Sequence, residues 1–303
     1  MDLALASAAV SVRVTAAVSP RWGAAVAMPL FGYVATPRPV HVDDEPTMLR
    51  ARLRTVRIPG IDRRGVDVDT YEWGRGPRTV VLSHGWNGRA SQFSVLVREL
   101  VAEEYRVVSF DAPAHGASGG RRTYLVDWLD VFAALQERHG SFDAMVGHSF
   151  GGLATLVGVA GGVDAARVVT IAAPADADLL LSQFQAMLGY PDTVAARMRE
   201  LFATRYFPGQ PDPFAWLSGV RRPLPPGIPL LVAHDHGDRV VPFGESGRIV
   251  DANPGAKLLA TKGLGHNRIL VDDVVLDAVL DHVRAPLAEV APVAAEEFGA
   301  VAA

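Results

Sequence analysis

The stretch Val146-Gly147-His148-Ser149-Phe150-Gly151-Gly152 sets a serine between two glycines, each two positions away. Upstream, the apolar run Phe142 to Val146 predicts a buried strand, and downstream Leu153 to Val159 predicts a helix. A strand that passes into a helix within so few residues must turn sharply. Side chains at positions 147 and 151 would collide with neighbouring backbone, while Ser149 would be held in a strained conformation with its hydroxyl presented. The pattern is that of a nucleophile elbow.

A serine hydroxyl is a weak nucleophile near neutral pH. It needs a histidine base, a carboxylate to orient that base, and donors for a developing oxyanion. The strand-like run Leu230-Leu231-Val232-Ala233 leads into His234-Asp235-His236-Gly237-Asp238-Arg239-Val240-Val241-Pro242, which puts Asp238 on a strand-end loop. A second short run, Lys257 to Thr261, precedes Gly263-Leu264-Gly265-His266-Asn267. The chain order serine, aspartate, histidine matches one triad architecture. Asp235 competes with Asp238 for the acid role, as do Asp176 and Asp178 after the preceding strand.

Taken with Ser83-His84-Gly85-Trp86-Asn87-Gly88 and Asp111-Ala112-Pro113-Ala114-His115-Gly116-Ala117-Ser118, these segments resemble the α/β-hydrolase fold superfamily from about Tyr71 to Val283. The resemblance implies an α/β fold: a mostly parallel eight-stranded sheet flanked by helices, with a small helical lid. It implies the catalytic set Ser149, Asp238 and His266, with the backbone N–H groups of Trp86 and Phe150 as the oxyanion hole. His84 and His148 are expected to orient loops, and His115 to fix its turn. Serine at the elbow argues against the members of the superfamily that attack through a carboxylate, so ester chemistry is favoured. The expected activity is a serine hydrolase of the carboxylesterase kind, acting on small to medium apolar esters. An acyltransferase, a thioesterase or lactonase using the same triad, and a non-catalytic binding protein of the same fold are the alternatives.

Composition agrees with a globular enzyme. The chain has 303 residues, long enough for one large core, with 49% hydrophobic and 20% charged residues. A net charge of -4 offers no general attraction to polyanions, so nucleic acid is not an expected partner. Lysine occurs only at Lys257 and Lys262, and the arginines are scattered. The chain contains no cysteine, which excludes disulfides and thiolate ligands and suits a cytoplasmic location. The cluster His234, Asp235, His236 and Asp238 superficially invites a metal. Consecutive strand residues point to opposite faces, however, and neither a metal nor another cofactor is expected.

Four regions are expected. Residues 1–50 form an N-terminal helical arm, 51–174 with 228–284 the core, 175–227 a helical cap, and 285–303 a flexible tail. The arm is rich in alanine and valine, but Arg13, Arg21 and Pro29 interrupt it, so no membrane span is expected. Met28, Leu30, Phe31 and Tyr33 are its expected apolar contacts to the core or the lid. Strands are expected at 53–58, 66–73, 79–83, 106–110, 142–146, 168–172, 229–233 and 256–261. Helical stripes run through Phe93, Leu96, Val97 and Leu100, and through Leu125, Trp128, Leu129, Phe132 and Leu135. A closing helix is expected from about Asp272 to Val283. The cap carries Leu179, Leu180, Phe184, Met187 and Leu188, then Met198, Leu201 and Phe202, then Tyr206, Phe207, Phe214 and Trp216. Those of them that face Ser149 would line an apolar pocket.

Overall fold

A computed structural model describes residues 3–34, 36–60 and 62–287 of the chain. The strands are β1 (Arg52–Ile58), β2 (Val66–Trp73), β3 (Thr79–Ser83), β4 (Arg106–Phe110), β5 (Ala144–His148), β6 (Val168–Ile171), β7 (Leu230–Asp235) and β8 (Lys257–Thr261). They form one sheet in the order β1-β2-β4-β3-β5-β6-β7-β8. The first two strands run as an antiparallel hairpin, β2 pairs antiparallel with β4, and every pairing from β4 to β8 is parallel. This is the expected eight-stranded α/β architecture.

The helices are α1 (Leu3–Val18), α2 (Pro20–Phe31), α3 (Glu45–Met48), α4 (Ser94–Ala102), α5 (Leu125–His139), α6 (Phe150–Ala160), α7 (Ala177–Leu188), α8 (Asp192–Tyr206), α9 (Pro213–Trp216), α10 (Gly244–Ala252), α11 (Gly265–Arg268) and α12 (Asp273–Arg284). Strands β3, β5, β6 and β7 are buried along their whole length, because helices cover both faces of the parallel region. Their sequences are accordingly continuous apolar runs such as Val80-Val81-Leu82. Strands β1 and β8 form the sheet edges and are largely exposed. One core face packs α5 and α6 on the sheet, with Trp128, Phe132 and Phe110 fully buried; the other packs α4 and α12, with Phe93, Leu100 and Val279. Each such side chain contributes roughly 1.5–3 kcal/mol by leaving water.

Several boundaries differ from expectation by one or two residues, as where β7 runs on to Asp235, and two places show why. Strand β5 begins two residues late and continues to His148, because its ladder pairs Gly147 with Ser83 and His148 with Ile171. Phe142 instead makes an isolated bridge to Ala165. Pro29 does not end α2: it sits in the last turn, and the helix runs on to Phe31. The closing helix is capped as its sequence suggests, with the Asp272 carboxylate accepting the N–H groups of Val274 and Val275.

Helices α7, α8 and α9 lie between β6 and β7, and the arm helices pack on them rather than on the sheet, α1 against α7 and α2 against α8. Phe31 meets Phe184 edge-on at 5.2 Å between ring centroids, and also approaches Phe202 and Tyr124. Met28 is buried, Leu30 and Phe31 are partly buried, and Tyr33 remains half exposed. Among the described residues no helix is long and apolar enough to cross a membrane. Of the expected tail, residues 288–303 lie outside the described residues.

Candidate active site

Parallel strands in register bring their carboxyl ends to one edge of the sheet. The order reverses between β3 and β5: the chain leads from β3 outward to β4, and from β5 outward to β6. Such a switch point opens a crevice. Ser149 follows β5 directly, the Gly85–Gly88 turn follows β3, Asp238 lies just past β7, and His266 lies beyond β8 in α11.

Ser149 has φ 52° and ψ -124°, a conformation that non-glycine residues rarely adopt. Contacts on both sides enforce it. A Cβ on Gly147 would stand 2.4 Å from the carbonyl oxygen of Gly151, and one on Gly151 would stand 2.2 Å from that of Ser83. The Ser149 N–H donates to the Ile171 carbonyl at 2.8 Å, and the Ser149 carbonyl accepts from Gly152 and Leu153 as α6 begins.

The Ser149 hydroxyl oxygen is 3.0 Å from His266 Nε2, and His266 Nδ1 is 2.7 Å from Asp238 Oδ2. An ionised Asp238 makes Nδ1 the donor, which leaves the Nε2 lone pair facing the serine hydroxyl. Asp238 Oδ1 accepts the N–H groups of Val240 and Val241 at 2.7 and 2.9 Å. Burial alone would raise the Asp238 carboxyl, but hydrogen bonds from His234, His266, Val241 and Val240 outweigh it and hold the group well below the usual carboxylate range.

The competing acids are occupied elsewhere. Asp235 Oδ2 accepts from the Thr261 hydroxyl and from Leu264 N–H, and Oδ1 accepts from Gly237 N–H, so this side chain braces the loop that carries His266. Asp176 caps α7 through the N–H groups of Asp178 and Leu179 and pairs with Arg248. Asp178 pairs with Arg199 and Arg221. Of the His234 to Asp238 segment only two side chains meet: His234 Nε2–H donates to the Val241 carbonyl at 3.0 Å and lies 3.4 Å from Asp238 Oδ2, whereas the His236 ring stacks on Phe243 and Asp235 turns to the loop that carries His266.

Three further histidines fix loops around the serine. His148 Nε2–H donates to the His266 carbonyl at 2.9 Å, a link between the elbow and the loop that carries His266. His84 Nε2 accepts from Ala112 N–H, and His115 Nε2 accepts from Asn87 N–H, which pins the turn after Trp86. Burial is the main cause that lowers all three, His84 to about 4 and His115 and His148 to about 3. They are therefore neutral near pH 7. Trp86 and Phe150 meet edge-on at 5.4 Å beside Ser149, and neither backbone N–H donates to another group among the described residues.

Ser149 and His266 line a cavity of about 470 Å³. Of the cap side chains singled out above, Leu180, Phe184, Met187 and Phe202 reach it, whereas Tyr206, Phe207, Phe214 and Trp216 do not. The arm supplies Leu30, Phe31, Tyr33 and Arg38 to the same wall; the first three are among its expected apolar contacts, but nothing local marks them as cavity lining, and Arg38 carries no signal at all. Gln183 of α7 donates to the Val240 carbonyl at 2.6 Å, which ties the inserted helices to the turn that holds Asp238.

The sequence pattern of the alpha/beta hydrolase family matches residues 80–278, well over half of the chain. The protein belongs to the α/β-hydrolase family. Among solved structures, this α/β hydrolase is similar to an esterase of Pyrococcus furiosus, at 20% identity and TM-score 0.58 over 84% of this chain and 99% of that one. It is similar to the alpha/beta hydrolase domain-containing protein 10 from mouse, at 18% identity and TM-score 0.58 over 76% and 96% of the two chains. An esterase from Rhodococcus aligns at 19% identity and TM-score 0.53 over 77% and 98%. At these identities the likeness is one of fold. A comparison with curated proteins gives no match.

Proposed function

We propose that this α/β hydrolase is a serine hydrolase that cleaves carboxylic esters of small to medium apolar substrates through an acyl-enzyme. The observation that carries the proposal is the hydrogen-bonded series from Ser149 through His266 to Asp238, in a cavity of the size that small molecules occupy. His266 Nε2 takes the hydroxyl proton as the Ser149 oxygen attacks the ester carbonyl. The N–H groups of Trp86 and Phe150 hold the oxyanion, and Asp238 stabilises the imidazolium. The imidazolium then gives its proton to the departing alcohol. Water enters, loses a proton to the same nitrogen and releases the acid. We assign the segment 175–227 as a cap over this cavity, and the arm 1–50 as its outer support.

The reading is tested with p-nitrophenyl esters of increasing acyl length on the wild type and Ser149→Ala, with fluorophosphonate labelling of both. Turnover should fall by several orders of magnitude in the variant, about 10⁶-fold where residual activity is low, and labelling should vanish. A wild type that neither turns over nor labels refutes the proposal. Added alcohols and thiols measure how the acyl group divides between water and other acceptors, which separates hydrolase from acyltransferase.

A further inference from the structure

The cavity wall is apolar where the cap and the arm meet, at Leu30, Phe31, Leu180, Phe184 and Phe202. It turns polar at Arg38, Asn87 and Gln92. Among the described residues Arg38 is the one lining residue with a permanent charge. Some arginines elsewhere on the surface, such as Arg52, Arg57, Arg199, Arg221 and Arg284, pair with carboxylates, while others, such as Arg50, Arg54 and Arg121, have no ion pair among the described residues but do not line the cavity. Arg38 has no ion pair among the described residues.

Its place is built into the fold. The fully buried Asp111 pairs with Arg89 at 3.2 Å, and Arg89 Nη1 donates to the Arg38 carbonyl at 2.8 Å. The Arg89 N–H in turn approaches Gln92 Oε1 at 3.4 Å, so Arg38 is anchored beside the Trp86 turn. The backbone is held in place, and the residue is exposed where it lines the cavity. Around it the rim is apolar and half exposed, with Tyr33 at 48%, Met187 at 47% and Val240 at 48% exposure.

We infer that Arg38 selects substrates in which an anionic oxygen group, a carboxylate or a phosphate, is joined to the apolar body that the rest of the cavity takes. An unpaired cation beside low-dielectric walls focuses the local field, and a guanidinium grips two oxygens of such a group at once. The chain as a whole carries -4, so anions gain nothing from its general field and need a local partner. This substrate class rests on the ester hydrolase reading above.

The test compares kcat/KM for p-nitrophenyl valerate with that for the p-nitrophenyl monoester of glutaric acid, nearly the same shape with a carboxylate in place of the terminal methyl. The ratio of anionic to neutral ester should fall about tenfold in Arg38→Ala, further in Arg38→Glu, and should decline with added salt in the wild type. A ratio that stays within twofold in both variants overturns the inference. Binding of octyl phosphate, followed by calorimetry, needs no turnover: affinity about tenfold weaker in Arg38→Ala supports the assignment, and equal affinity overturns it. If the wild type hydrolyses neither ester, the hydrolase proposal fails on its own and the titration alone decides the role of Arg38.

Discussion

Replacing Gly151 by alanine should uncouple the fold from the chemistry. The new methyl group would lie 2.2 Å from the Ser83 carbonyl oxygen, 2.4 Å from that of His84 and 2.7 Å from the Ser83 carbonyl carbon. All three are backbone atoms at the end of β3 and cannot rotate away. A carbon and a carbonyl oxygen rest at about 3.3 Å or more, so the start of α6 must withdraw from β3 by about 1 Å. The Phe150 N–H precedes the substituted residue, and the Trp86 N–H follows the carbonyls it strikes. The gap between the two assigned oxyanion donors therefore widens by a similar amount. Misplacement of about 1 Å costs on the order of 10² in rate, and loss of one donor 10² to 10³. Overpacking of this kind costs about 1–3 kcal/mol, which for a chain of this size lowers the melting temperature by roughly 2–6 °C. The expected outcome is a folded protein with kcat/KM down about 100-fold or more on p-nitrophenyl esters and weakened phosphonate labelling. Gly247→Ala is the counterpart: this glycine lies inside α10 with nothing within 4 Å of the added methyl. It should gain roughly 0.5–1 kcal/mol with unchanged activity. Gly151→Ala with kcat/KM within threefold of wild type and an unchanged melting temperature would refute the argument.

Asp238→Asn should lower kcat by about 10⁴ by favouring the wrong His266 tautomer, with KM changed far less, as steady-state kinetics would reveal. Acid stability follows from the neutral histidines His84, His115 and His148, lowered by burial to about 4, 3 and 3. The unfolded chain takes up their protons at about pH 6.5 while the folded chain does not. Their contribution is therefore complete above about pH 6.5 and is lost as pH falls toward their folded values, at up to about 4 kcal/mol per pH unit for three protons. Urea midpoints measured between pH 7 and 4 should drop steeply, and a flat profile would contradict the burial. Asp238, held below the ordinary carboxylate range, contributes stability that is present above about pH 4 and lost only at lower pH. Trp128→Ala should destabilise the protein by about 3–5 kcal/mol and depress activity, since this fully buried ring packs 4.7 Å from Phe150, edge to His84 and His115; thermal melts and ester assays check both effects.

What could be read before folding and what could not divides along physical lines. Strands such as Thr79–Ser83 are legible because a strand buried on both faces needs an unbroken apolar run, and a run of that length between turn residues has few other uses. The strand-end motifs are legible because the elbow forbids side chains at fixed positions and the order of Ser149, Asp238 and His266 follows the strand order. The end of β5 was less so: His148 is polar, yet the ladder to Ile171 and the bond to the His266 carbonyl keep it in the strand. The acid could have been narrowed further. Asp176 stands just before an apolar helix, an N-cap signature, and the structure uses it as one. The cavity wall is legible only in part: Leu30, Phe31, Leu180, Phe184 and Phe202 stand out as apolar contacts, but nothing local says which of them would face Ser149 or how the arm would dock. Helix α1 is alanine and valine on nearly every side, so no periodicity marks the face that meets α7, and its partner lies more than 150 residues away. Arg38 looks like any other scattered arginine until the buried Asp111 and Arg89 fix where its backbone stands. The chemistry of this fold is thus written in short segments at strand ends, where backbone geometry dictates residue type. Under the proposed ester chemistry, selectivity falls to side chains that only long-range packing brings to the mouth, and for that reason substitutions in the arm, far from Ser149 in sequence, should change which ester is cleaved more than how the bond is broken.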